Sequence, residues 1–156
     1  MRFGVVGSRG FTNYQMVKNV LEQFLVQFPN FILISGGAQG ADSLGERFAD
    51  EHGLEKIIHL PDWDKYGRSA GYIRNQKIVK DSDAVVAFWD GQSKGTEHTI
   101  DLCRSSGKGV FVFAIEKDRL LKKTPQFFNN PIHIKDNYNS GTPPGVEPLA
   151  QRSFQI

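Results

Sequence analysis

Five short apolar runs alternate with helical patterns along the first 115 residues, and this alternation limits the fold more than any other feature. The runs read FGVVG, FILIS, KIIHL, AVVAFW and GVFVFAI, at residues 3–7, 31–35, 56–60, 84–89 and 109–115. Their apolar residues are continuous, which is typical of strands buried on both faces of a parallel sheet. The pattern predicts a doubly wound α/β fold with a mainly parallel sheet and helices on both of its faces.

Two capping signals indicate where the first two helices begin. Thr12 and Gln15 have the spacing of a capping box, and Ser43 and Glu46 repeat that spacing before the second helical pattern. The sequence therefore predicts helices that start at about these two positions.

Two later helices are expected over about 71–80 and 96–106, and the loop before the first of them carries Trp63 and Tyr66. These two aromatic side chains have two possible roles. They could close the edge of the core, or they could stack on a nucleobase, as aromatic side chains do in proteins that bind single-stranded nucleic acid.

The amino-acid composition of the chain changes after residue 115. Residues 116–156 are rich in Asn, Pro and Gly, and the segment TPQFFNNPIHI is expected to add a short helix and a last strand. We expect residues 1–115 to form one ligand-binding domain and residues 116–156 to be an extension packed on the same domain.

Charge and composition exclude several classes of function. The formal net charge of +2 over 156 residues is too small to predict duplex DNA binding, and the single cysteine, Cys103, excludes an internal disulfide. The four histidines lack the spacing of metal ligands, so neither a metal nor a cofactor is expected. The chain shows no signal peptide or membrane span, and a cytoplasmic location is expected.

The loops that follow strands are rich in glycine and polar residues, whereas the loops that follow helices have no such pattern. The loops after the first four strands read, in turn, GSRGFTN, GGAQGAD, PDWDKYGRSAGYIRN and DGQSKGT. In an open α/β sheet, ligands bind beyond the carboxyl ends of the strands, where the winding direction reverses. Four loops with glycines at this edge therefore predict a binding site.

The segment SKGT has the composition of a phosphate-binding helix start. Ser93, Gly95 and Thr96 would offer hydroxyl and amide donors, although Thr96 could simply cap the helix and the glycines could make turns. Arg9 directly follows the first strand, where a guanidinium would face phosphate. Asp42 could cap the second helix or accept a hydrogen bond from a ribose hydroxyl.

The ordered motifs GSRGF, SGGAQGAD, PDWDKYGRSAGYIRN, SDAVVAFWDGQSKGT and HTI resemble the YspA-related branch of the SLOG superfamily over residues 2–115. This superfamily includes DNA-processing protein A and the lonely-guy phosphoribohydrolases. The resemblance implies a Rossmann-like sheet and a pocket for nucleotides or nucleotide-derived ligands. It also implies a bacterial or phage protein without an assigned reaction.

The lonely-guy pattern carries over to this chain only in part. Arg74 stands nine residues before Asp83, as the arginine of that pattern does, but Thr99 occupies the position of the catalytic glutamate. The resemblance therefore implies a phosphate loop and an arginine without the catalytic carboxylate. Catalytic residues stay unassigned, with Arg74, Glu97 and Asp90 as candidates.

The expected function is the binding of a nucleotide-derived small molecule, as a sensor or sequestering protein. The ligand would be ADP-ribose-like, cyclic ADP-ribose-like or a nucleoside monophosphate. Hydrolysis of nucleotide N-glycosidic bonds and single-stranded DNA binding are the alternatives, and a homo-oligomer is expected. The candidate ligand-binding residues are Gly7, Ser8, Arg9, Gly36, Gly37, Gly40, Asp42, Asp62, Trp63, Tyr66, Arg74, Asn75, Asp90, Gly91, Ser93, Gly95, Thr96 and His98.

Overall fold

The computed structural model describes residues 1–122 and 125–129, and strands and helices alternate through most of them. The strands are β1 (Arg2–Gly7), β2 (Ile32–Ser35), β3 (Lys56–Ile58), β4 (Ala84–Trp89), β5 (Gly109–Glu116), β6 (Arg119–Leu120) and β7 (Gln126–Phe128). The helices are α1 (Tyr14–Gln27), α2 (Ala41–Glu51), α3 (Trp63–Tyr66), α4 (Ala70–Asp81) and α5 (Lys94–Ser106), with a 3-10 turn at Gly67–Ser69.

The five apolar runs form the parallel part of one sheet, in the order β3-β2-β1-β4-β5. β1 lies in the middle, where Gly4 pairs with Ile34 of β2 on one side and with Val85 of β4 on the other. This arrangement confirms the predicted doubly wound, Rossmann-like fold. The winding direction reverses between β1 and β4, so a crevice is expected beyond their carboxyl ends.

Both faces of β1, β2, β4 and β5 are mostly buried, which explains their continuous apolar runs, whereas the edge strand β3 is only partly buried. Phe3 and Val5 of β1 belong to the core beneath α1 and α2, whereas Val6 belongs to the core beneath α4 and α5. The ring of Phe3 makes edge contacts with the rings of Phe24 and Phe31, whose centroids lie 5.0 and 5.3 Å away. Alternate residues of one strand thus fill two different cores.

The predicted capping box of α1 is wrong. Asn13 caps this helix, because its side-chain oxygen accepts a hydrogen bond of 3.1 Å from the amide of Met16. The amide and hydroxyl of Thr12 instead donate to the carboxylate of Asp118, at 2.7 and 2.8 Å. Thr12 is therefore held by the turn between β5 and β6, which the sequence pattern did not reveal.

The capping box of α2 is also wrong, because this helix begins three residues earlier than the signal indicates. Gly40 occupies the cap position, and Ser43 and Glu46 lie inside the helix. The hydroxyl of Ser43 donates to the Gly40 carbonyl at 2.9 Å, and Glu46 accepts a hydrogen bond of 2.6 Å from the hydroxyl of Ser35. Both side chains thus have partners other than those of a capping box.

Two further boundaries differ from the prediction. Trp63 and Tyr66 form α3 and do not lie in an irregular loop. Helix α5 begins at Lys94 after Ser93, so Thr96 lies in its first turn and does not cap it. The sequence signal failed here because Lys94 and Gly95 lack the apolar periodicity that marks a helix.

The segment after β5 contributes to the same sheet. β6 pairs with residues 115–116 of β5 and β7 pairs with residues 110–112, both in the antiparallel sense. Of the expected helix and strand in TPQFFNNPIHI, residues 126–128 form β7, and the rest of that segment lies almost entirely outside the described residues. Across the described chain, no helix combines the length and apolar character needed to cross a membrane.

Candidate functional site

A crevice of about 400 Å³ opens beyond the carboxyl ends of β1 and β4, where the winding direction reverses. Its walls come from the end of β1 and the loop after it, the loop after β2 with the start of α2, one face of α4, and the loop after β4 with the start of α5. Its lining residues are Val6, Gly7, Ser8, Arg9, Ala38, Asp42, Arg74, Asn75, Ile78, Asp90, Ser93, Gly95, Thr96 and Thr99. This is the position that the strand order favours for a ligand.

Ser8 ties the two central strand ends together on the floor of the crevice. It is buried, its amide donates to the Phe88 carbonyl at 3.0 Å, and its hydroxyl accepts a hydrogen bond of 3.3 Å from the amide of Asp90. The loop after β1 and the loop after β4 are thus held side by side. A ligand between them would contact both.

Asp90 shapes the loop that leads into α5. Its carboxylate accepts hydrogen bonds of 2.9 and 2.8 Å from the amides of Gln92 and Ser93. Burial is the largest single influence and raises the pKa of Asp90, but the hydrogen bonds from Ser93, Gln92 and Ser8 together outweigh it and hold the pKa below its usual value. An ionised Asp90 therefore fixes the turn and places the amino terminus of α5 at the crevice.

The start of α5 brings two hydroxyl groups to the crevice wall. Thr96 is 4% exposed, and its hydroxyl lies 3.1 Å from that of Ser93. Thr99, one turn further on, donates its hydroxyl hydrogen to the Gly95 carbonyl at 3.2 Å. The free amides of a first helical turn, with these hydroxyls beside them, suit a phosphate group.

Arg74 reaches the crevice from α4 and is held by the protein on one side. Its Nη1 donates to the Gly36 carbonyl, and its Nε donates to Oδ1 of Asn75 at 3.0 Å. A guanidinium has five N–H groups, so about three remain for a ligand after these two contacts within the described residues. The side chain is therefore oriented before any ligand arrives.

The charges around Arg74 favour an anion in the crevice. Burial is the largest influence and lowers the pKa of Arg74; the positive charge of Arg9 lowers it further, whereas Asp42 raises it. Two guanidinium groups thus face one crevice and repel each other. A bound phosphate would relieve both the repulsion and the loss of water around Arg74.

Asp42 is a buried carboxylate behind the loop that follows β2. It accepts a hydrogen bond of 2.9 Å from the Gly36 amide, and it is 4% exposed. Burial raises the pKa of Asp42 to about 6, against the opposing effects of hydrogen bonds from Gly36 and Ala38 and of the charge of Arg74. Asp42 thus holds the loop shape and does not occupy the cap position, which belongs to Gly40.

Asp42 should make the folded state less stable as pH rises. Because its folded pKa of about 6 exceeds the ordinary aspartate value of 3.8, the folded state binds more protons between these values. The free energy of unfolding should therefore fall by roughly 2 kcal/mol from pH 4 to pH 7 through this group alone. Urea melts of the parent and of Asp42→Asn across this range would measure it. A stability difference between the two that does not change with pH would contradict the expectation.

The crevice brings together ten of the expected ligand-binding residues. They are Gly7, Ser8, Arg9, Asp42, Arg74, Asn75, Asp90, Ser93, Gly95 and Thr96. The other expected residues do not line it: Gly36, Gly37, Gly40, Asp62, Trp63, Tyr66, Gly91 and His98. Gly36 and His98 still contact lining residues, through Arg74 and Asn75 respectively.

The side chains that do not line the crevice have other contacts. Asp62 caps α3 by accepting a hydrogen bond of 3.1 Å from the Lys65 amide. Trp63 is 52% exposed and its ring lies near Gly71, at the start of α4. Glu97, a catalytic candidate, forms an exposed ion pair of 3.3 Å with Lys94.

Four lining residues were absent from the sequence-based set: Val6, Ala38, Ile78 and Thr99. Ala38 lies inside the GGAQGAD loop and could have been included on that ground. Val6 and Ile78 look like ordinary core residues in the sequence, because they pack in the core under α4 and α5 while facing the crevice floor. No group of three metal-binding side chains occurs in the described residues.

Comparisons with known proteins agree with this architecture. The family model described as "YspA, cpYpsA-related SLOG family" matches residues 1–66. The chain is also similar to the Gene 61 protein of Mycobacterium phage D29, with 30% identity over 116 residues. That alignment covers 70% of this chain and 93% of the phage protein.

Two solved structures share the fold at low sequence identity. DNA processing protein A from Streptococcus pneumoniae aligns with a TM-score of 0.61 and 20% identity over 74% of this chain, which spans 50% of that protein. The protein TM1055 aligns with a TM-score of 0.53 and 22% identity, over 70% of this chain and 72% of that protein. With the fold, the family match and the phage relative in agreement, the chain belongs to the YspA, cpYpsA-related SLOG family.

Proposed function

We propose that the crevice binds a phosphate-bearing, nucleotide-derived small molecule, and that the protein acts as a sensor or sequestering protein for it. ADP-ribose, a cyclic ADP-ribose isomer and nucleoside monophosphates are the candidate ligands. The observation that carries the proposal is the pair Arg9 and Arg74, which line one crevice together with the start of α5. Each of these features attracts a phosphate group, and all three converge on one space.

The magnitudes favour a specific anion site. A hydrogen bond from a charged group to a ligand contributes about 1.5–3 kcal/mol, and a helix amino terminus adds about 0.3–1 kcal/mol. Arg74 is already oriented by Gly36 and Asn75, so little side-chain entropy is lost on binding. The crevice volume of about 400 Å³ falls within the range of small-molecule sites.

The arrangement of carboxylates supports binding without cleavage. Thr99 lines the crevice, and its hydroxyl is engaged with the Gly95 carbonyl. Glu97 pairs with Lys94 outside the lining. Hydrolysis of an N-glycosidic bond is the second candidate function, because Asp90 is ionised and lines the crevice, and a nearby carboxylate could stabilise an oxocarbenium-like transition state.

A thermal-shift panel tests the proposed binding. We expect ADP-ribose, its cyclic isomers or a nucleoside monophosphate to raise the melting temperature. At a concentration 100 times the dissociation constant, the ligand should stabilise the fold by about 2.7 kcal/mol. An absence of any shift with all members of the panel would contradict the proposal.

The fate of the ligand then separates the two functions. Recovery of the intact ligand after overnight incubation supports a sensor or sequestering protein, whereas release of a free base supports the hydrolase. The Asp90→Asn variant is the matched control for the second outcome, because its amide oxygen can still accept hydrogen bonds from the turn while the negative charge is lost.

Assembly into a homo-oligomer stays a prediction. An apolar QFFNN segment without a place in a five-stranded core would favour it, but residues 126–128 form β7 along the outer edge of β5. The ring of Phe127 lies 4.6 Å from that of Phe111, centroid to centroid. Residues 126–128 therefore pack against β5 of the same chain.

A further inference from the structure

Asn75 connects Arg74 to the first turns of α5. It lies on α4, is 6% exposed, and its Oδ1 accepts the hydrogen bond from Arg74 Nε at 3.0 Å. Its Nδ2 lies 3.3 Å from the Gly95 carbonyl oxygen and 3.2 Å from Nδ1 of His98. One buried amide thus contacts a ligand-facing guanidinium, a helix start and an imidazole.

The partners determine how this amide is oriented. Arg74 Nε can only donate, so the atom facing it must be the oxygen of Asn75. The Gly95 carbonyl can only accept, so it faces the amide nitrogen. His98 Nδ1 lies against the same nitrogen and must therefore accept, which requires its lone pair. The ring then carries its proton on Nε2.

Protonation of His98 would break this arrangement. A protonated Nδ1 would point its N–H at the N–H of Asn75, and the amide could restore one contact only by turning its oxygen away from Arg74. The groups around the ring are the Tyr72 ring on α4, 4.5 Å away centroid to centroid, and Asp101 on α5. Burial lowers the pKa of His98, while Asp101 raises it, and the net direction is downward.

We propose that Asn75 is the positioning residue that holds Arg74 ready for the ligand's phosphate, and that it does so only while His98 is unprotonated. Ligand affinity would then fall in acid. This inference rests on the proposed function, since it concerns the regulation of the same site. It assigns to His98 a role behind the crevice wall.

Testing the proposal requires a ligand whose phosphate groups do not change their charge near neutral pH. ADP-ribose is suitable, because its diphosphate stays fully ionised, whereas the second pKa of a phosphate monoester is about 6. Its dissociation constant would be measured by calorimetry at pH 7.5 and pH 5.5. Asp42 also titrates near this range, with a pKa of about 6, and its protonation should favour an anion.

The matched control for Asp42 is therefore His98→Asn. This variant keeps Asp42, and its Oδ1 can take the place of His98 Nδ1 and accept a hydrogen bond from Asn75 at every pH. Between pH 7.5 and pH 5.5 the parent should lose affinity relative to His98→Asn, by up to about tenfold, the limit for an imidazole with its ordinary pKa. An equal response of the two proteins to pH would overturn the proposal.

A double-mutant cycle tests the positioning role itself. At pH 7.5, Asn75→Ala should weaken ADP-ribose binding about fivefold, but it should weaken it hardly at all in a chain that already carries Arg74→Ala. Thermal melts of each variant would show whether it is folded at the temperature of measurement. Independent, additive losses would mean that Asn75 does not act through Arg74.

The coupling can also be measured without any ligand. Nitrogen NMR should show His98 protonated on Nε2 at pH 7.5, and the Arg74 Nε–H signal should exchange faster with water as His98 titrates. A titration of His98 that leaves the Arg74 signal unchanged would refute the coupling. If ADP-ribose fails to bind at either pH, the proposed function loses support, while this measurement still decides the coupling.

Discussion

Replacing Arg74 with alanine should lower the affinity for a phosphate-bearing ligand by about tenfold to a hundredfold. The variant loses a charge-assisted hydrogen bond of about 1.5–3 kcal/mol and leaves Arg9 alone in the crevice. It should also reduce stability by about 1–2 kcal/mol, because the Gly36 carbonyl and the Asn75 side chain each lose a partner. Calorimetric titration and urea melts measure the two effects separately.

Arg68 offers a matched control for this variant. It lies in the exposed 3-10 turn before α4 and does not line the crevice, so Arg68→Ala removes the same charge without the contacts. Arg74→Lys keeps the charge but loses the planar guanidinium that contacts Gly36 and that would bind the phosphate of the proposed ligand. We expect this variant to bind more weakly than the parent. Full affinity in Arg74→Ala would show that Arg74 only supports the loop after β2.

Replacing Gly40 with alanine should destabilise the protein by about 3 kcal/mol or more. Gly40 has a φ of 83° and a ψ of −131°, which only glycine adopts readily. A Cβ atom there would lie against the Ser8 carbonyl oxygen and 2.6 Å from that of Arg9, and neither backbone atom can move freely. The loop after β1 would have to shift, so ligand affinity should fall as well.

Gly67 separates these two causes. It follows α3, has a φ of 55° and a ψ of −131°, close to the angles of Gly40, and a methyl group added to its Cα would have no neighbouring atom within 4 Å. Gly67→Ala should therefore carry the backbone strain alone, about 1–3 kcal/mol. The difference in urea-melt stability between the two variants measures the close approach of Gly40 to the loop after β1. Equal losses would mean that no such approach limits the site.

The sheet could be predicted from the sequence because burial on both faces leaves an unambiguous pattern. The buried parallel strands are continuous apolar runs. Phe3 and Val6 of β1 are both apolar because each is buried, although they lie in different cores on opposite faces of the sheet. Most of the expected ligand-binding residues that line the crevice come at or after the ends of β1 and β4, since the position of a loop in a parallel sheet decides which edge it reaches.

Contacts between distant segments could not be predicted in this way. The Thr12–Gln15 spacing is a local pattern and does not reveal the partner that Thr12 has in the fold. Thr12 donates to Asp118, which is 106 residues away along the chain. Asp42 looked like a helix cap, but its carboxylate holds the amide of Gly36 on the loop before the helix. Local patterns describe which partners are possible, and tertiary packing decides which of them are used.

The turn between β5 and β6 has a consequence for the limits of the binding unit. Asp118 accepts two hydrogen bonds from Thr12, and its carbonyl accepts a third, of 2.8 Å, from the side chain of Asn13. The two hydrogen bonds from Thr12 lower the pKa of the Asp118 carboxyl, so the carboxylate stays charged at neutral pH. The loop that presents Arg9 is therefore anchored by a residue beyond the predicted end of the domain at 115. A chain ending there would retain every residue that lines the crevice and yet lack the residue that anchors one of its walls.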